Sequence, residues 1–162
     1  MRGRVFAGRR ITATDVSAAE TETKMYPRHA SLQALLASLG SPRSDITNLI
    51  EMTQGERVTA ILAVKDYERD FILLATAAGV IKKTLLKEFE EVRRNGKIAM
   101  RLDDGDQLIA ARMASDESHV LLVSSAGQAV RFKIDDLRAA SRTSGGVRGM
   151  KLAKGGYIVG VE

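Results

Sequence analysis

Apolar runs of strand length dominate the chain from residue 56 onward. Val58-Thr59-Ala60-Ile61-Leu62-Ala63-Val64 is rich in β-branched residues and predicts a strand. Phe71-Ile72-Leu73-Leu74-Ala75-Thr76 is almost continuously apolar, the pattern of a strand covered on both faces. Ala77-Ala78-Gly79 then predicts a tight turn, with Gly79 supplying the positive φ that hairpins favour. Val80–Thr84 is the returning strand, Leu85–Asn95 a loop or single helical turn, and Gly96–Leu102 a fourth strand. The same order follows in Leu108–Ala114, His119–Ser124, Gln128–Lys133 and Val147–Leu152, and Tyr157–Val161 opens another round. Before residue 45 the pattern differs. Leu32, Leu35, Leu36 and Leu39 recur at helical spacing and predict a short amphipathic helix over Pro27–Leu39, ended by Gly40. It belongs to an insertion over Ile11–Ser44, while Gly3-Arg4-Val5-Phe6 resembles the third strand of an earlier repeat.

The recurrence is literal as well as rhythmic. Gly79-Val80-Ile81-Lys82-Lys83 is echoed by Gly127-Gln128-Ala129-Val130-Arg131, and Gly96–Leu102 by Gly146–Leu152. Gly55, Gly105 and Gly155 follow one another at intervals of 50 residues. A fixed period of this size marks a repeat architecture, and four short strands per period is the rhythm of a propeller-like blade. The expected organisation is a divergent partial blade with the helical insertion over 1–54, blades over 55–104 and 105–154, and the first strand of a next blade over 155–162. A propeller closes with about four to eight blades, so the chain is expected to be a piece of a longer polypeptide or to complete itself by association.

Composition narrows the function. No run approaches the roughly 18 apolar residues of a membrane span, and no signal-like apolar core follows the N-terminal arginines, so a soluble, cytoplasmic protein with no membrane partner is expected. Zero Cys and two isolated histidines, His29 and His119, leave no basis for a metal centre. Absence of Trp and 4% aromatics argue against base-stacking platforms for single strands. The net charge of +5 is modest, but its placement is not. Arg93, Arg94, Lys97 and Arg101 form one acid-free stretch, and Arg138, Arg142, Arg148, Lys151 and Lys154 form another in the same phase of the repeat. Stacked repeats would line these cations along one rim, a footprint for a polyanion. Lys82, Lys83, Arg131 and Lys133 leave the hairpins towards the same edge, although alternation must turn some of them away.

Other candidate chemistry falls away. Asp103-Asp104-Gly105-Asp106 lacks the glutamate of a calcium loop and reads as a solvated turn. Gly145-Gly146 is not followed by the Lys-Ser/Thr pair of a nucleotide loop. No nucleophile, base and orienting group stand in a recognisable arrangement, so neither catalytic residues nor a cofactor are expected. Arg142, Arg148 and Lys151 read as phosphate contacts; the alternative for Arg148 is a brace that hydrogen-bonds a turn.

Taken together, Gly55–Leu62, Ala78–Thr84 with Glu88-Phe89, Arg94-Asn95-Gly96, Leu102–Asp106, Ala129–Phe132 with Asp135-Asp136, and Arg142-Thr143 with Gly146–Leu152 resemble one family. It is the C-terminal DNA-wrapping domain of the DNA gyrase A subunit, with the topoisomerase IV equivalent close behind. The resemblance implies an all-β β-pinwheel, here a partial ring of four-stranded blades that exchange strands. It also implies a non-catalytic module that bends double-stranded DNA around a basic perimeter, carried by a type IIA topoisomerase A subunit partnered by its ATPase B subunit. The sequence departs from the family in the long Ile11–Ser44 connection, in lacking a glutamine-arginine-arginine-glycine box, and in lacking the catalytic tyrosine region. DNA bending is therefore implied and negative supercoiling is not. The competing reading from another class is a propeller-type scaffold whose basic rim docks an acidic protein.

Overall fold

The computed structural model describes residues 3–6, 22–26, 57–62, 64, 67–68, 70–91 and 96–162. Arg93, Arg94 and the expected helix over Pro27–Leu39 lie outside them. Eleven strands occur among the described residues: β1 (Gly3–Phe6), β2 (Glu22–Tyr26), β3 (Arg57–Ile61), β4 (Phe71–Thr76), β5 (Val80–Leu85), β6 (Lys97–Arg101), β7 (Leu108–Ala114), β8 (His119–Ser124), β9 (Ala129–Lys133), β10 (Val147–Arg148) and β11 (Ile158–Val161). The helical elements among them are two short 3-10 turns, Leu86–Phe89 and Ile134–Asp136, each directly after a hairpin.

The strands form three sheets, ordered β3-β1-β2-β6, β7-β4-β5-β10 and β11-β8-β9. The sheets and the sequence repeat are out of phase. The second sheet takes its hairpin, β4 and β5, from residues 55–104, but its flanking strands, β7 and β10, from residues 105–154. Likewise β11, from the repeat that opens at 155, pairs with β8. Each hairpin is thus completed by strands of the following repeat.

All pairings in the second sheet are antiparallel. In the first sheet β1 pairs parallel to both β2 and β3. It occupies the place that β4 holds in the second sheet, rather than the third-strand place expected for Gly3–Phe6. Parallel neighbours need a long connection, and Phe6 and Glu22 are far enough apart in sequence to provide one, whereas the three-residue turn after Thr76 dictates an antiparallel hairpin.

The apolar run of β4 is explained by two cores. Ile72 and Leu74 pack with Leu86, Phe89, Ala99 and Met100 between the first and second sheets. Leu73 and Ala75 pack with Ile81, Val120, Leu122 and Ile158 between the second and third. Alternation sends successive side chains to opposite faces, so a strand with a core on each side must be apolar throughout. Burying side chains such as Ile72 and Leu74 stabilises the fold by about 1.5–3 kcal/mol each.

The hairpin turns repeat in detail. Gly79 (φ +83°) donates its N–H to Thr76 O, and Gly127 (φ +76°) donates to Ser124 O. The buried hydroxyls of Thr76 and Ser124 accept the next amides, those of Val80 and Gln128. The expected strand over Val147–Leu152 is only two residues long. Gly149 and Met150 both donate to Gly79 O, so the chain curls over the Gly79 turn and leaves the strand path after Arg148.

Candidate nucleic-acid interface

The segment from Arg138 to Lys151 runs along the outer edge of β5. Ala140 donates to Lys83 O at 2.8 Å, Val147 and Arg148 pair with Ile81 and Val80, and Gly149 donates to Gly79 O at 2.9 Å. Glycine is required for so close an approach. A Cβ on Gly146 (φ +92°) would stand 2.5 Å from Ile81 O, and one on Gly149 would stand 2.8 Å from the Ile81 side chain. A turn between them and Arg138 is closed by Ser144, whose N–H and hydroxyl both donate to Ser141 O.

This path displays cations outward. Arg138, Arg148 and Lys151 are exposed and form no ion pair among the described residues. No acid lies between Leu137 and Lys154. Arg101 is also exposed, and its N–H donates to Ser144 O at 3.2 Å, which joins β6 to the segment. Arg142 is half-buried and its Nη1 donates to Ile98 O at 3.0 Å. Lys97, also half-buried, reaches Glu88 O at 3.3 Å. The structure therefore brings Lys97, Arg101 and Arg142 together where β6 meets the segment, with two of the three side chains partly committed to backbone carbonyls, while Arg148 lies further along, opposite Val80 of β5. Arg131 and Lys133 are exposed on β9, on the face they share with Leu121 and His119.

Lys82 and Lys83 correct the sequence expectation. Both belong to the interior, at 1% and 5% exposure, and neither can reach a phosphate. Lys82 Nζ donates to Arg142 O at 2.6 Å, Ala99 O at 2.8 Å and Ser144 O at 3.0 Å. Burial pushes its ammonium down to about 8, Glu88 pulls it back up and Arg142 adds a smaller push down. Lys83 Nζ bonds Asp116 Oδ1 at 3.1 Å and Ile134 O at 3.4 Å, and sits 4.0 Å from the Phe71 ring centroid. A lysine on a strand between two sheets is covered whichever face it takes, so its ammonium seeks carbonyls.

Sequence reasoning missed Glu88, whose Oε2 accepts the Arg142 N–H at 2.9 Å. The pair is 54 residues apart, and no local spacing announces it. An open groove of about 360 Å³ runs between β7, β8 and β11, lined by Arg112, Leu121, Val159 and Glu162 among others. Arg112 is there ion-paired to Glu162 at 3.1 Å. Among the described residues no helix is long and apolar enough to cross a membrane, and no group of three or more His, Cys, Asp or Glu could hold a metal ion.

Comparison with known proteins places these features. The family model described as DNA gyrase C-terminal domain, beta-propeller, matches residues 70–115 and 118–162. The DNA gyrase A subunit of Salmonella typhimurium is 47% identical over 124 residues, which cover 76% of this chain and 14% of that protein. Its counterpart in Staphylococcus aureus is 37% identical over 119 residues, 72% of this chain and 13% of that protein. The chain thus spans about a seventh of the length of the curated relatives it matches. Among solved structures, a DNA gyrase A C-terminal domain is similar with a TM-score of 0.66 at 30% identity, over 76% of this chain and 41% of that one. The C-terminal domain of a DNA topoisomerase IV gives 0.64 at 27% identity, over 72% and 37%.

Proposed function

The chain belongs to the family of the DNA gyrase C-terminal domain, and from that premise we propose that it is a non-catalytic module that binds and bends duplex DNA through phosphate contacts on a basic rim. The observation that carries this reading is the acid-free segment 138–151, laid along the outer edge of the second sheet with Arg138, Arg148 and Lys151 exposed. Arg101 and Arg142 are proposed to extend it, with Lys97 from the preceding repeat, whose sequence also carries Arg93 and Arg94. Arg131 and Lys133 supply the cations of the third sheet. The partners proposed with this role are the rest of a type IIA topoisomerase A subunit, with its ATPase B subunit.

The chemistry is electrostatic and indifferent to sequence. Cations that neutralise phosphates release condensed counterions, so affinity falls steeply with salt. Smoothly bending 20–30 base pairs costs about 1–6 kcal/mol, which no single contact offsets; several cations spaced along a rim can. The deciding experiment measures duplex affinity against salt concentration for the 162-residue chain and for the Arg138→Ala, Arg148→Ala, Lys151→Ala triple variant, with end-to-end energy transfer reporting the bend. Each lost phosphate contact lowers the log–log slope by about 0.9, so the triple variant is expected to lose roughly 2–3 units. An unchanged slope rejects the role of these residues.

A further inference from the structure

Glu88 stands where an acid should do harm. It lies against the acid-free segment that begins after Asp136, and a carboxylate beside a phosphate-binding segment repels the polyanion. Its contacts supply a reason for its presence. Glu88 sits in the 3-10 turn Leu86–Phe89, immediately after β5, and its Oε2 accepts the backbone N–H of Arg142 at 2.9 Å. Lys82, on β5 itself, donates to the carbonyl of the same residue at 2.6 Å and to that of Ser144 at 3.0 Å. The Arg142 backbone is thus gripped at both its polar groups, by a carboxylate and an ammonium from the preceding repeat. Lys82 also donates to Ala99 O, which ties the grip to β6.

We propose that Glu88 and Lys82 are positioning residues of the cationic edge. Together they fix the course of segment 138–151, and with it the directions in which Arg142 and Arg148 are presented. The inference rests on the DNA-binding reading above and adds the device that orients that site. Position matters here because bending requires several phosphates to be met at set intervals, and a free loop would forfeit binding energy in ordering itself. Among the described residues, the next hairpin does not repeat the pair. Counting from Gly79 and Gly127, Lys82 corresponds to Val130 and Glu88 to Asp136. Val130 has no ammonium, and Asp136 Oδ2 accepts the nearby Lys133 N–H instead.

Two substitutions separate positioning from charge. Glu88→Ala removes both the acceptor and the negative charge; Glu88→Gln removes the charge and keeps an oxygen for the Arg142 N–H. Charge alone makes both variants bind duplex more tightly. Positioning makes Glu88→Ala bind about tenfold more weakly than the parent chain while Glu88→Gln binds at least as well as it. Hydrogen exchange supplies a readout that needs no DNA. Protection of the Arg142, Ala140 and Gly149 amides is expected to fall about tenfold in Glu88→Ala and to be restored in Glu88→Gln, with β8 and β9 unchanged. Tighter binding by Glu88→Ala, or unchanged protection in it, overturns the proposal. If the parent chain binds no duplex, the DNA reading fails on its own account, and the exchange comparison alone decides whether Glu88 anchors the segment.

Discussion

Lys82 and Lys83 are neighbours on β5, yet their ammonium groups serve opposite seams of the molecule. Lys82 joins the second sheet to Ala99 of β6 in the first, and Lys83 joins it to Ile134 and Asp116 beside the third. Strand alternation sends the two side chains to opposite faces, and both faces are covered. Two cations that resemble a phosphate site in the sequence are staples between sheets.

The buried position of Lys82 sets a pH dependence. The folded chain releases this proton near pH 8, whereas the unfolded chain holds it to about 10.5. Between those values the unfolded state binds more protons, so stability rises with pH across the window; below it the burial cost is fully present. Taken over the whole window, the rise is on the order of 3 kcal/mol. Urea unfolding at pH 7.5 and pH 10 should show it in the parent chain and show it abolished in Lys82→Met. Equal pH slopes in the two proteins would disprove the assignment.

The two turn glycines with contrasting surroundings should respond differently to alanine. Gly127 has a positive φ but open space around its missing Cβ, so Gly127→Ala is expected to cost about 1–2 kcal/mol of backbone strain. Gly146→Ala adds a clash with Ile81 O and is expected to cost more than that and to detach β10 from β5. Denaturant midpoints for both variants check the order, and a smaller loss at Gly146 would contradict the packing described.

Thr84 is fully buried, and its hydroxyl oxygen has no hydrogen-bond partner among the described residues. Thr84→Val keeps the shape and removes the unsatisfied group, so a gain of about 1 kcal/mol is expected by chemical denaturation. A loss of stability would mean that the hydroxyl is satisfied after all.

The ion pair of Lys83 contributes less than its short distance suggests, because Asp116 is 64% exposed. Asp116→Ala should cost below about 1 kcal/mol, while Leu122→Ala in the adjacent core should cost roughly 2–5 kcal/mol. Thermal unfolding of the pair of variants tests this. Comparable losses would show that the seam is held by charge rather than by apolar packing.

The strands were legible wherever a local rule governs them. β4, β7 and β8 begin and end where the apolar pattern places them, because each apolar run stops where polar and turn residues begin. Val147–Leu152 looked like a longer strand, since its likeness to Gly96–Leu102 carries no sign that Gly149 will bond to Gly79 O. In the candidate site, the exposure of Arg138, Arg148 and Lys151 agrees with an acid-free stretch, whereas the engagement of Arg142 with Ile98 and Glu88 depends on residues tens of positions away.

What the sequence determined by itself is the repeat: turn glycines at a fixed interval, apolar strands between them, and cations gathered in one phase of the period. These are short-range properties, set by the φ a turn demands and by the face a side chain must bury. Tertiary structure decided which strands share a sheet and which cations face water. A strand acquires its neighbours only when the following repeat folds across it, and a lysine side chain takes its partner from whatever carbonyls that crossing brings within reach.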